Sequence, residues 1–76
     1  MATTMISDQE LILFMTGKRM NKRFEYHVIF QNTDHLTELT FKTIGADNKI
    51  EATHVAREYG VRFLEARVVE VQKVGN

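Results

Sequence analysis

Between Phe24 and Gln31 the chain has a period of two: Phe24, Tyr26, Val28 and Phe30 are interleaved with Glu25, His27, Ile29 and Gln31. Successive side chains of an extended strand point to opposite faces, so this stretch commits four large apolar side chains to one face of a sheet. That face must be covered, and the rest of the chain is constrained by what can cover it.

Asn32-Thr33-Asp34 is turn chemistry, and a second strand is expected over residues 36–44, with Leu39 and Phe41 on one face against Glu38, Thr40 and Lys42. The two strands read as a hairpin whose apolar face is Phe24, Tyr26, Val28, Phe30, Leu39 and Phe41. Gly45-Ala46-Asp47-Asn48 breaks the second strand. Asn48 with Glu51 three residues later is an N-cap signature. Ala52, Val55, Ala56 and Tyr59 then fall at i, i+3, i+4 and i+7, one stripe of a helix, and Gly60 is the expected C-terminal stop. This helix is the cover. A last strand is expected over residues 61–74, where Leu64, Ala66 and Val68 share one parity and Val69 and Val71 the other. A bulge near Val68-Val69 would return both sets to one face; otherwise that end is covered on both sides.

Upstream, Ser7-Asp8-Gln9-Glu10 matches a capping box and Gly17 offers a stop, which predicts a short helix over residues 8–16, although LILFM alone is compatible with a strand. Five consecutive apolar residues turn through more than a full circle of helix, so no single stripe hides them all. If Leu11, Phe14 and Met15 dock on the domain, Ile12 and Leu13 point elsewhere: to a contact surface, or under a loop or the open sheet face.

The order is α-β-β-α-β. A right-handed crossover through the second helix returns the third strand beside the first, which predicts an α+β fold: a fully antiparallel three-stranded sheet, ββαβ in spatial order 2-1-3, with one packed helix and a short N-terminal helix. The open face is expected to carry Glu25, His27, Ile29, Thr40, Lys42, Glu65 and Arg67. Residues 6–74 read as one domain behind a flexible N-terminus, residues 1–5.

At 76 residues a single copy buries a modest core, so support from a partner or a second copy is expected. With no Cys there is neither disulfide nor thiolate metal site. No apolar run approaches the ~20 residues of a membrane span, and MATTMISDQE has neither the basic nor the apolar region of a secretory signal, so the cytoplasm is the expected location. Ten Lys and Arg balance ten Asp and Glu, which removes any global pull toward nucleic acid. Charge gathers locally instead, at Lys18, Arg19, Lys22 and Arg23.

Candidate chemistry is sparse. Glu25, His27, Glu65 and Arg67 could face one another across strands, but a solvated sheet surface explains them without an enclosing pocket. His27, His35 and His54 lack metal-ligand spacing, and Ser7 is accounted for as a cap. The loop before the second helix puts Asp47 where a phosphate would sit. KRFEYHVIF departs from the aromatic strand of RNA-recognition modules: Arg23 and Glu25 stand where small residues belong, and its aromatic residues share the core parity, leaving no stacking platform on the open face. No catalytic residue, metal or cofactor is expected.

In layout, the strand FEYHVIF, the second strand ending TFKTIGADN, the helix EATHVAREYG with its Ala-x-x-Val-Ala-x-x-Tyr face and the closing strand RFLEARVVEV resemble the small ββαβ inhibitors of host RNA polymerase made by tailed bacteriophages. The capped N-terminal helix and the basic run before the first strand depart from that layout. The resemblance implies a class of role: a phage-encoded, non-enzymatic protein that binds and modulates a larger host protein. The residues themselves nominate Ile12 and Leu13 for buried contact area and Lys18, Arg19, Lys22 and Arg23 for steering, toward a protein partner or in a homodimer. The alternatives are a nucleic-acid-binding module using residues 18–23 with His27 and Lys42, and then a small enzyme.

Overall fold

A computed structural model describes residues 6–15 and 23–74. The elements are α1 (Asp8–Met15), β1 (Phe24–Asn32), β2 (Leu39–Ala46), α2 (Lys49–Tyr59), which continues into a π-helical turn (Gly60–Leu64), and β3 (Ala66–Lys73). The sheet is antiparallel throughout in order β2-β1-β3, as the crossover argument requires.

Both helices lie on one side of it. Leu11 and Phe14 of α1 and Ala52, Val55 and Ala56 of α2 share a buried cluster with Tyr26, Val28, Phe30, Ile44 and Ala46 from the sheet. Phe30, Leu11, Ile44, Val28 and Val55 are the largest fully buried side chains. Ser7 Oγ caps α1 by accepting from the Glu10 N–H at 3.2 Å, and the helix extends over Asp8–Met15 of the expected 8–16, while Gly17 lies outside the described residues. Asn48 Oδ1 caps α2 by accepting from the Glu51 N–H at 2.8 Å, and the Glu51 carboxylate reaches back to the Asp47 N–H, also 2.8 Å.

Three expectations are corrected. The first concerns β2, which runs from Leu39 to Ala46 rather than over 36–44, so that Gly45 and Ala46 continue the strand instead of breaking it, and which has the opposite face assignment. Asn32 Oδ1 accepts from the N–H groups of Asp34 and His35, and the Asn32 N–H closes the loop on the Glu38 carbonyl at 3.1 Å. That closure sets Phe30 opposite Thr40 and Val28 opposite Lys42, so Thr40 and Lys42 lie on the helix side and Leu39 and Phe41 on the open side. Because side chains alternate, the loop alone decides which set is buried. The core positions of β2 fall to Ile44 and Ala46.

The second is Gly60, which does not stop the helix. Its backbone is right-handed (φ −60°, ψ −44°), and the left-handed stop comes at Glu65 (φ 50°), whose N–H donates to the Gly60 carbonyl. Glu65 thus sits in the turn before β3, not on the open face, and its carbonyl accepts from both N–H and Oγ1 of Thr33.

The third is the last strand, which begins at Ala66 instead of 61 because residues 60–64 are helical. Of the two readings of the parity change, the bulge is the one present: Ile29 pairs with Glu70 and Phe30 with Val68, which leaves Val69 as the additional residue. Ala66 and Val71 are consequently buried on one face, with Val68 packed beside them.

Candidate interaction surface

The register fixes what the uncovered side of the sheet displays. On β1 it shows Glu25, His27, Ile29 and Gln31; on β2, Leu39, Phe41 and Thr43; on β3, Arg67, Glu70 and Gln72. Ile29 and Phe41 are direct cross-strand neighbours, with Leu39 next along β2 opposite Gln31. Phe41 is 66% exposed and Leu39 49%, so among the described residues no element packs over these two side chains. His27, Ile29, Phe41, Thr43 and Gln72 line a shallow depression of about 420 Å³. Gln31 fixes one end of the face, accepting from Arg67 Nε at 2.9 Å while its Nε2 donates to the Leu36 carbonyl.

Glu25, His27, Glu65 and Arg67 do not converge. Arg67 is opposite Gln31, His27 is opposite Thr43 and Gln72, and Glu25 lies at the far end, where its carbonyl accepts from the Val74 N–H. Among the described residues no three His, Asp or Glu side chains come together in a group that could hold a metal.

Ile12 and Leu13 are 45% and 40% exposed on the outer side of α1, whose inner stripe is Leu11, Phe14 and the half-buried Met15. Arg23 is exposed, with its N–H donating to Asp47 Oδ1. Lys18, Arg19 and Lys22 lie outside the described residues. Of the expected set, therefore, Ile12, Leu13 and Arg23 are at the surface. Leu39 and Phe41, assigned to the core by parity, belong to the surface too, and Lys42 leaves the open face. The open face does carry an aromatic ring after all, supplied by β2 rather than by β1. The signal that would have found it is the Asn32 turn: pairing counted back from Asn32–Glu38 puts Phe41 beside Ile29.

The chain matches no family model, no curated protein and no solved structure.

Proposed function

We propose that this protein is a non-enzymatic interaction module that holds a protein partner through its exposed apolar surfaces, in keeping with the binding and modulating role implied by its likeness in layout to phage inhibitors of host RNA polymerase. The observation that carries the reading is the exposed pair Leu39 and Phe41 on the open face, with the half-buried Ile29 beside Phe41. Exposed contiguous apolar surface rimmed by polar groups is the usual mark of a contact site, and here Glu25, His27, Arg67 and Glu70 form the rim. On a phage-encoded protein the partner would be a host protein in the host cytoplasm. The test compares the wild-type chain with Phe41→Asp in pull-downs from bacterial lysate, with circular dichroism confirming that the variant is folded. A partner held by the wild type and lost by the variant supports the reading; equal capture, or none, defeats it.

A nucleic-acid-binding module is the second reading, favoured by Phe41 and His27 as diagonal neighbours on an open sheet and by the basic run 18–23. Against it, the face itself carries two carboxylates, Glu25 and Glu70, and one guanidinium, Arg67, which is the wrong balance for a phosphate backbone. Titration against random single- and double-stranded DNA and RNA separates the two. Binding that falls by roughly 10³-fold between about 50 and 200 mM salt would favour nucleic acid.

A further inference from the structure

The backbone of β2 points somewhere specific. In an antiparallel pair, alternate residues turn their N–H and C=O toward a given neighbour. Asn32 bonds to Glu38, and stepping along the register by two makes Phe30–Thr40, Val28–Lys42 and Tyr26–Ile44 the hydrogen-bonded pairs. Leu39, Phe41, Thr43 and Gly45 therefore direct their N–H and C=O away from β1, to the outer edge of the sheet, where β2 is the last strand. β2 pairs with β1 without interruption from Leu39 to Ala46, so this edge is regular. A regular row of unpaired edge groups is a template for another strand.

The side chains beside that row select the strand. Glu38, in the loop just before β2 and tied to Asn32 through its carbonyl, continues the helix-side parity of Lys42, and among the described residues neither has an ion-pair partner. Four residues apart on an extended chain they are about 13 Å from each other, too far to pair within one molecule. What neutralises both at once is the same segment running antiparallel.

We propose that the outer edge of β2 is a homodimer interface, in which two copies pair antiparallel about a two-fold axis at Thr40. In that register Leu39 lies opposite Phe41 of the second copy as a hydrogen-bonded pair, which agrees with the outward direction of both backbones. Glu38 lies opposite Lys42 of the second copy, and the axis repeats each contact. Moving the axis to Lys42 would oppose two ammonium groups; moving it to Phe41 would leave both charges without partners. The pairing also joins the apolar patches of the two copies, Ile29, Leu39 and Phe41 from each, into one continuous face. The inference rests on the interaction reading above and extends it to a second copy. It fails separately, because a monomeric chain that still captures a host protein through Phe41 keeps that reading and loses this one.

So short a strand pair makes a small interface, and a weak dimer whose formation depends on concentration is expected. Sedimentation velocity of the full chain from about 10 μM to about 1 mM should show monomers converting to dimers. Glu38→Lys and Lys42→Glu each replace two attractive cross-strand pairs by two repulsive ones and should weaken the dimer by about tenfold or more. An equimolar mixture of the two single variants restores every opposite-charge pair and should assemble as heterodimer at wild-type concentrations. Thr40→Cys, the only cysteine in its chain, should cross-link to itself under mild oxidation, since non-hydrogen-bonded antiparallel neighbours have Cα atoms about 4.5 Å apart. Thr43→Cys on the same edge lies far from its own copy and should cross-link much more slowly. A wild-type chain that stays monomeric to about 1 mM, a mixture no better assembled than its components, or equal cross-linking at residues 40 and 43 would each overturn the proposal.

Discussion

Gly60 lies flat against Phe30: a Cβ built on the glycine would sit 3.1 Å from two carbons of the Phe30 ring and 2.6 Å from the Ala66 carbonyl oxygen. Phe30 is fully buried in the central strand, and Ala66 opens β3, so neither neighbour can withdraw without disturbing the sheet. Helical φ at this position suits any residue, which makes Gly60→Ala a clean test of close approach. The substitution should destabilise the domain by about 2 kcal/mol, the usual cost of overpacking, despite the better helix propensity of alanine. Chemical denaturation measures it, and an unchanged midpoint would show that the contact relaxes freely.

Tyr59 is half-buried between Phe30 and Phe63, with ring centroids 6.4 Å and 5.0 Å away. Tyr59→Ala should cost about 2 kcal/mol or more, below the range for a fully buried aromatic because one side of the ring is wet. His54, exposed on the outer side of α2, should cost less than about 0.5 kcal/mol when changed to alanine. Equal costs in urea titrations would contradict this orientation of α2.

Arg62 ties the π-helical turn to the start of α1. Its guanidinium donates to the Ile6 carbonyl, to Asp8 Oδ1 at 3.1 Å and to Glu58 Oε1 at 2.8 Å. Asp8 is largely solvated and contributes little, so the carbonyl contact and the Glu58 pair carry most of the effect. Arg62→Ala should therefore lower global stability by about 1 kcal/mol while selectively loosening α1. Hydrogen exchange of the Leu11 amide, which bonds to the Ser7 carbonyl, should accelerate more than that of the β1 amides. Uniform acceleration across the domain would mean that Arg62 does not latch α1.

Ile12→Asp combined with Leu13→Lys tests the α1 surface. Both side chains are exposed, so the thermal midpoint should stay nearly unchanged, a shift worth less than about 0.5 kcal/mol. Partner capture through α1 should be lost, because a charge placed in an apolar contact is desolvated without a partner. A collapsed melting transition, or a folded variant with undiminished capture, would each remove α1 from the contact surface.

Most of the architecture was legible because it depends on local pattern. The alternation of Phe24–Phe30 located the central strand, Asn48 and the Ala52, Val55, Ala56 stripe located α2, and the parity change at Val68-Val69 offered the bulge as one of two readings. Helical spacing grouped Leu11, Phe14 and Met15 on one stripe but left open whether Ile12 and Leu13 were exposed or covered. What was not legible depends on distance in the chain. The faces of β2 were set by how Asn32 closes its loop, a choice that the alternation of Leu39, Thr40, Phe41 and Lys42 permits either way. Gly60 looked like a stop signal because its role is fixed by Phe30 and Ala66, which only the folded chain brings to it. Leu39 and Phe41 read as core for the same reason, until the register is known.

The extra residue at Val69 gives the molecule two unlike sides. Beyond it the outward amides of β3 fall out of step, so a strand added there would lose alignment within a few residues, whereas β2 offers an unbroken row. A sheet with two regular flanks can polymerise, each new copy presenting the site that recruits the next. A sheet with one cannot propagate beyond the first addition. Excision of Val69 would straighten the blunted flank and give the sheet two regular edges, the condition for growing as a ribbon.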